Sequence, residues 1–158
     1  MKLKLDANFC DLLSAFRACS VRYLIIGGWA VSVHAQPRAT MDMFVSPERE
    51  NIEAVYQALT AFGAPLEKME KSQFLQVGTF FRIGVPPCQV DIFPDVPGVQ
   101  FEACWPKRVE VLLDAKNPFA ATFISAEDLI AAKIASGREQ DLADAHAIRR
   151  AREQAHRT

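Results

Sequence analysis

Two aspartates stand inside apolar segments that are typical of β-strands. Asp42 lies in the segment 42–45, and Asp91 lies in the segment 88–93. A carboxylate in an apolar strand is costly to bury unless it is paired or binds a cation. If two strands bring these acids together, they could hold Mg²⁺, which binds a few carboxylates together with phosphate oxygens of a substrate. The alternative is that each acid lies at a strand end and faces solvent.

A glycine pair, Gly27-Gly28, follows a predicted strand over 22–26 and precedes a predicted short helix over 29–35. Glycine adopts a positive φ at little cost and leaves room for a ligand close to the backbone. The N-terminus of the following helix offers N–H groups that have no partner within the helix. The pair could therefore bind a triphosphate, and the alternative is that it forms only a tight turn.

The elements that would position these residues mix helices with strands. Apolar residues spaced by three and four predict an amphipathic helix over 7–19. Ser46-Pro47 predicts the start of another helix, with Ser46 as its cap and Gly63 at its end. Further strands are predicted at 74–85, 109–113 and 121–124. This order predicts an α+β fold with a mixed β-sheet flanked by helices.

Two C-terminal helices are predicted over about 125–151. Ser125 is placed to cap the first of them, in a pattern similar to a capping box with Asp128, and Gly137 is placed to end it. The second covers roughly residues 140–151. These helices complete what we expect to be a single domain over residues 1–158, a length that buries a substantial core.

The composition is that of an ordinary globular protein. The formal net charge is −1, so no global electrostatic argument favours nucleic acid or a membrane as a partner. The four cysteines contain no C-x-x-C pair, which favours buried reduced thiols over a zinc site or disulfides. The longest apolar stretch is too short to span a bilayer, and the N-terminus lacks the apolar region of a signal peptide. We therefore expect a cytoplasmic location and no membrane partner.

Three stretches occur in order along the chain: GGWAV at 27–31, PRATMD at 37–42 and VDI at 90–92. Together they resemble the DNA polymerase beta-type nucleotidyltransferase superfamily, in particular small bacterial proteins related to AbiEii-type toxins. The tail, with LIAAKIA at 129–135 and REQDLAD at 138–144, is similar to the C-terminal helices of those proteins. The likeness spans about residues 22–150 and implies a nucleotidyltransferase fold.

The resemblance implies catalytic and metal-binding roles for the two acids. Asp42 would be the first ligand of Mg²⁺. Asp91 would be a further metal ligand that also serves as the general base for an acceptor hydroxyl. The implied reaction transfers a nucleoside monophosphate from an NTP to that hydroxyl, and the sequence leaves open whether the acceptor is RNA, a protein or a small molecule.

The resemblance also implies a set of nucleotide-binding residues. They are Gly27, Gly28, Arg38, Thr40, Lys133 and Arg138. The glycines would hold the phosphates, the residues just before Asp42 would support the site or contact a phosphate, and the two C-terminal cations could reach phosphates or an acceptor. Asp141 could equally be a structural partner of Arg138, because the two residues lie three positions apart on one helix face.

The sequence departs from the family pattern at Phe44, where a second aspartate is expected. Residues 42 and 44 share one face of a strand, so an aspartate at 44 would help to bridge two metal ions. Phe44 offers no ligand and would fill part of that volume. One hypothesis is therefore a weakened nucleotidyltransferase that binds NTP and Mg²⁺. The alternative is a catalytically inactive binding or regulatory module, such as a toxin–antitoxin-type partner or a subunit of a homo-oligomer.

Overall fold

One mixed β-sheet holds both candidate aspartates. The computed structural model describes residues 7–27, 30, 41–66, 70, 78–84, 89–113 and 119–157. Its strands are β1 (Tyr23–Ile26), β2 (Met41–Val45), β3 (Phe81–Ile83), β4 (Val90–Phe93), β5 (Val109–Leu113) and β6 (Phe119–Phe123). They form a six-stranded sheet in the spatial order β3-β4-β2-β1-β6-β5.

The register of the central strands brings the two aspartates side by side. β2 runs antiparallel to β1 and parallel to β4, and β1 runs parallel to β6. β3 and β5 are the antiparallel edge strands. Asp42 lies directly opposite Asp91 on one side and opposite Ile26 on the other. Residues that pair across strands share a face of the sheet, so both acids project from the same face.

The described helices lie on both sides of this sheet. They are α1 (Ala7–Ala18), α2 (Arg49–Phe62), α3 (Phe101–Cys104), α4 (Ala126–Ser136) and α5 (Glu139–Arg157), and a 3₁₀ turn covers Trp105–Lys107. α1 packs against α2, and α4 packs against α5. None of these helices combines the length and the apolar character that crossing a bilayer requires.

The two faces of β2 have different neighbours. Met41, Met43 and Val45 are fully buried, on the same face as Tyr23, whose ring meets Phe16 of α1 edge to face at 5.6 Å between centroids. Alternation along the strand puts Asp42 and Phe44 on the opposite face. That face is covered by α3 and, as described below, by α4.

The α+β fold, the mixed sheet and the C-terminal helices are confirmed. The Ser125 hydroxyl accepts a hydrogen bond from the Asp128 amide at 3.2 Å, as a cap of α4 should. α4 ends at Gly137 and α2 ends at Gly63, both in the left-handed conformation. In the segment predicted as a strand over 74–85, the structure shows β3 at Phe81–Ile83, and residues 74–77 lie outside the described residues.

The predicted cap at Ser46 is wrong. α2 begins at Arg49, and its cap position is Glu48, whose side chain makes no capping hydrogen bond. Ser46 is fully buried, and its hydroxyl accepts from Arg22 at 3.1 Å and donates to Glu102 at 3.2 Å. A hydroxyl engaged in contacts this distant in sequence cannot be recognised from the local pattern.

The described cysteines are reduced thiols. They are Cys10, Cys19 and Cys104, whereas Cys88 lies outside the described residues. Burial raises the pKa of Cys104 to about 11, and the neighbouring Asp128 carboxylate adds to the rise. This thiol is therefore protonated at neutral pH and is a packing residue rather than a nucleophile.

Candidate functional site

Gly27 brings the backbone of β1 against the carboxylate of Asp42. Gly27 follows β1 directly and has a φ of +68°, a conformation that other residues adopt only with strain. A Cβ atom at this position would overlap with the Asp42 carboxylate group. The chain therefore needs glycine here for two reasons, its backbone conformation and the close approach of the acid.

Asp42 is a half-buried carboxylate with an altered proton affinity. Burial raises the pKa of Asp42 to about 6, and the negative charge of Asp91 contributes to the rise. The positive charges of Lys133, Arg138 and Arg82 act in the opposite direction. A cation bound beside Asp42 would favour the ionised form and relieve the unfavourable burial of the charge.

Asp91 is held by an arginine on the neighbouring edge strand. Arg82 lies directly opposite Asp91 in the β3–β4 register. Its Nε donates to Asp91 Oδ1 at 2.8 Å, and its Nη2 donates to Asp91 Oδ2 at 3.1 Å. This two-pronged geometry gives strong, directional hydrogen bonds. Both oxygens of Asp91 thus accept from one guanidinium group, a partner that the sequence analysis missed.

The helical side of the site is a network of ion pairs around Asp141. Lys133 Nζ lies 3.0 Å from Asp141 Oδ1 and 3.1 Å from Asp144 Oδ2. Arg138 Nε lies 2.8 Å from Asp141 Oδ2, so the predicted pairing of these two residues is present. The Ser136 hydroxyl donates to the same oxygen at 2.6 Å. Burial alone would raise the pKa of Asp141, but these donors outweigh it and lower the pKa to about 2.

A cavity of about 230 Å³ joins the two sides. The predicted site residues in its wall are Gly27, Asp42, Lys133 and Arg138. Asp91 lies next to Asp42 in the sheet but does not line this cavity. Gly28, Arg38 and Thr40 lie outside the described residues. The wall also contains Asp95 and Asp141, so the cavity combines three carboxylates with two cationic side chains. Carboxylates and cations in one cavity suit a phosphate group and its counter-ion.

Phe44 does not line this cavity either. The side chain is only 2% exposed, and its ring meets Phe101 of α3 edge to face at 5.2 Å between centroids. Phe101 in turn stacks on Trp105 at 5.6 Å. The position at which the resemblance expects a metal ligand therefore belongs to an aromatic cluster.

The described residues fit one Mg²⁺ ion better than two. Mg²⁺ is commonly held by one or two carboxylates together with phosphate oxygens and water, and Asp42 faces a cavity of that character. Within the described ranges, no three histidine, cysteine, aspartate or glutamate residues come together as a metal-binding group. Both oxygens of Asp91 accept hydrogen bonds from Arg82, and Phe44 offers no metal ligand.

Comparison with known proteins gives a family. The family model described as "Nucleotidyltransferase of unknown function (DUF6036)" matches residues 3–150, which covers the sheet, the cavity and most of α5. No curated protein matches the chain.

Proposed function

The chain belongs to this family of nucleotidyltransferases, and from that premise we propose that it binds an NTP with one Mg²⁺ in the cavity between Asp42 and Lys133. The observation that carries the proposal is the composition of the cavity wall: Gly27, Asp42, Lys133 and Arg138 all line the same space. In this assignment Asp42 is the metal ligand, and Lys133 and Arg138 face the phosphates. The backbone at Gly27 provides a close approach without a side chain.

The reaction that we propose is transfer of a nucleoside monophosphate to an acceptor hydroxyl. The hydroxyl oxygen forms a bond to the α-phosphorus, the bond from that phosphorus to pyrophosphate breaks, and the hydroxyl proton passes to a base. A bound Mg²⁺ would supply stabilisation of the negative charge that develops on the phosphates. The acceptor is a hydroxyl of RNA, a protein or a small molecule.

The same geometry makes the transfer slow. Asp91 is the base that the resemblance implies, and both of its oxygens accept hydrogen bonds from Arg82. An acceptor hydroxyl would have to compete with this guanidinium group for hydrogen bonds to Asp91. With Phe44 in the aromatic cluster, the site also lacks a bridging metal ligand. We therefore expect nucleotide binding to be easier to detect than turnover.

A thermal-shift screen with the four NTPs, with and without Mg²⁺, tests the binding. A ligand that binds only the folded chain raises the melting temperature by mass action. We expect a Mg²⁺-dependent rise with at least one NTP. The R138Q variant should lose most of that rise, because the Arg138 side chain lines the cavity and is 80% exposed, whereas R149Q on the exposed side of α5 should keep it. No rise with any NTP would contradict the proposal.

A second candidate function is that of a nucleotide-binding module without catalysis. The ion pair between Arg82 and Asp91 favours it, since both oxygens of the expected base already accept hydrogen bonds from Arg82. Release of pyrophosphate from the bound NTP, followed over time in the presence of candidate acceptors, separates the two functions. Pyrophosphate release that is lost in the D42N variant supports the enzyme, and binding without any release supports the module.

A further inference from the structure

Arg82 is fixed in place by two kinds of contact. One is the pair of hydrogen bonds to Asp91 at 2.8 and 3.1 Å. The other is the ring of Phe80, which lies 5.3 Å from the guanidinium carbon. Phe80 is itself stacked on Phe93 at 5.2 Å between centroids, and Phe93 lines the cavity. A planar guanidinium held between a carboxylate and an aromatic face is well ordered.

The charge of Arg82 lies at one end of a row that contains both acids. Asp42 and Asp91 are directly opposite each other, and Arg82 is directly opposite Asp91 on the next strand. The three side chains therefore form one row across β2, β4 and β3. A divalent cation shared by the two aspartates would have to displace Arg82 from Asp91 or lie close to its positive charge, and like charges at short distance repel strongly.

On this face of the sheet, the charge of Asp91 is balanced by a side chain of the protein, Arg82. The Asp91 side chain is only 10% exposed, whereas that of Arg82 is 53% exposed. A nearly buried carboxylate needs a partner, and Arg82 provides one without any metal ion. Phe44, which takes the position of a bridging ligand, lies in the aromatic cluster with Phe101.

We propose that Arg82 is a built-in counter-ion that replaces a divalent cation between Asp42 and Asp91. Arg82 is then a positioning residue: it holds the Asp91 carboxylate by two hydrogen bonds and restricts the site to the one cation assigned to Asp42. The inference rests on the proposed function in that it takes Asp42 as the ligand of that cation. Removal of the guanidinium should turn the two aspartates into a tighter cation site.

The test is a titration of the nucleotide-free chain with Mn²⁺, followed by the loss of the electron paramagnetic resonance signal of the free ion. We expect the R82Q variant to bind Mn²⁺ roughly tenfold more tightly than the wild-type chain, because one nearby positive charge is gone. R82M, which keeps the contact with Phe80, should show the same gain. The R82Q/D91N double variant should return to the wild-type affinity, because it lacks the released carboxylate.

R49Q is the matched control, since Arg49 is 88% exposed, lies 3.9 Å from Glu53 and does not line the cavity. It should bind Mn²⁺ as the wild-type chain does. Circular dichroism melting confirms that each variant is folded before the titration. Folded R82Q and R82M chains with wild-type Mn²⁺ affinity would overturn the proposal. Because no nucleotide is present, this failure is distinct from a failure of the wild-type chain to bind an NTP.

Discussion

Asp42 and Asp141 line the same cavity from opposite sides, the first from the sheet and the second from the helices. Asp141 is the more buried of the two, at 5% exposure, yet its pKa is about 2, whereas the pKa of Asp42 is about 6. Burial opposes ionisation of both. The difference arises because Ser136, Lys133 and Arg138 donate to Asp141, whereas Asp42 has the negative charge of Asp91 beside it.

The two sides of the cavity therefore differ in how their charges are balanced. The helical side is a preassembled group of cations with their own counter-ions, and it needs no ligand to be stable. On the sheet side, burial and the charge of Asp91 disfavour the ionised form of Asp42. A bound cation would favour that ionised form. In the function that we propose, the first arrangement binds phosphates and the second binds Mg²⁺.

The largest expected loss of stability comes from a substitution that introduces a third carboxylate on the sheet side. F44D would place a charge against the ring of Phe101 and remove a fully buried aromatic side chain, so we expect a loss of about 4 kcal/mol or more in the free energy of unfolding. F44L is the control and should lose about 1 kcal/mol. Urea unfolding measures both. If F44D is as stable as F44L, then position 44 has surroundings like those of Asp42 and our assignment of Phe44 to the aromatic cluster is wrong.

Breaking the helical side should have the next largest effect. The Lys133 side chain is only 13% exposed and is paired with both Asp141 and Asp144. K133A leaves these carboxylates without their shared cation, and we expect a loss of about 3 kcal/mol in the free energy of unfolding. R149A, on the exposed part of α5, should change it by less than about 0.5 kcal/mol. Similar urea unfolding midpoints for the two variants would show that the network is only a surface feature.

Breaking the sheet side tests the close approach at Gly27. G27A adds a Cβ atom that overlaps with the Asp42 carboxylate and forces alanine to a positive φ, so we expect a loss of about 2 kcal/mol or more. Gly63 offers a matched control, because its φ is +90° and a Cβ atom there would meet nothing within 4 Å. G63A should therefore lose only about 1 kcal/mol. Equal melting temperatures for the two variants would show that the contact with Asp42 contributes nothing.

The dependence of stability on pH should be a smaller effect, with opposite signs for Asp42 and Asp141. Because the pKa of Asp42 is raised on folding to about 6, this residue makes the chain less stable as the pH rises from about 4 to above 6. Asp141 has the opposite sign: its pKa of about 2 gives stability that is present above about pH 4 and is lost as the pH falls towards 2.

The D42N variant should therefore melt higher than the wild-type chain at pH 8 and close to it at pH 4.5, with a gain of about 1 kcal/mol. D141N should melt lower than the wild-type chain at both pH values. Melting curves at the two pH values measure both variants. A D42N variant that is destabilised at pH 8 would mean that the Asp42 charge is already compensated within the chain.

Much of the sheet side could be predicted from the sequence, because its signals are local. Asp42 and Asp91 interrupt apolar segments, and Gly27 follows a strand. Arg82 was missed because its pairing depends on the β3–β4 register, which joins residues nine positions apart across a segment with two prolines. The local signal was the alternation of Phe81 and Ile83 around it, which places Arg82 on the face of β3 opposite to these two apolar residues.

The environment of Phe44 depended on tertiary structure in the same way. The sequence showed that a ligand is missing at this position, but the partner of the ring is Phe101, more than fifty residues later in the chain. The four-residue helix α3 that carries Phe101 has too few turns to give a periodic signal. On the helical side, the pairing of Arg138 with Asp141 was predictable from its spacing, whereas the contact of Lys133 with Asp144 required the packing of α4 against α5.

In the function that we propose, Asp42 holds the cation that accompanies a bound nucleotide. Isothermal titration calorimetry with the NTP that gives the largest thermal shift tests this role directly. The wild-type chain and D42N are each titrated with Mg²⁺ and with EDTA. The control is D11N, because Asp11 is an exposed aspartate on α1. This role of Asp42 predicts that Mg²⁺ tightens binding to the wild-type and D11N chains by about tenfold and leaves binding to D42N unchanged. A D42N chain that keeps the full effect of Mg²⁺ would contradict it.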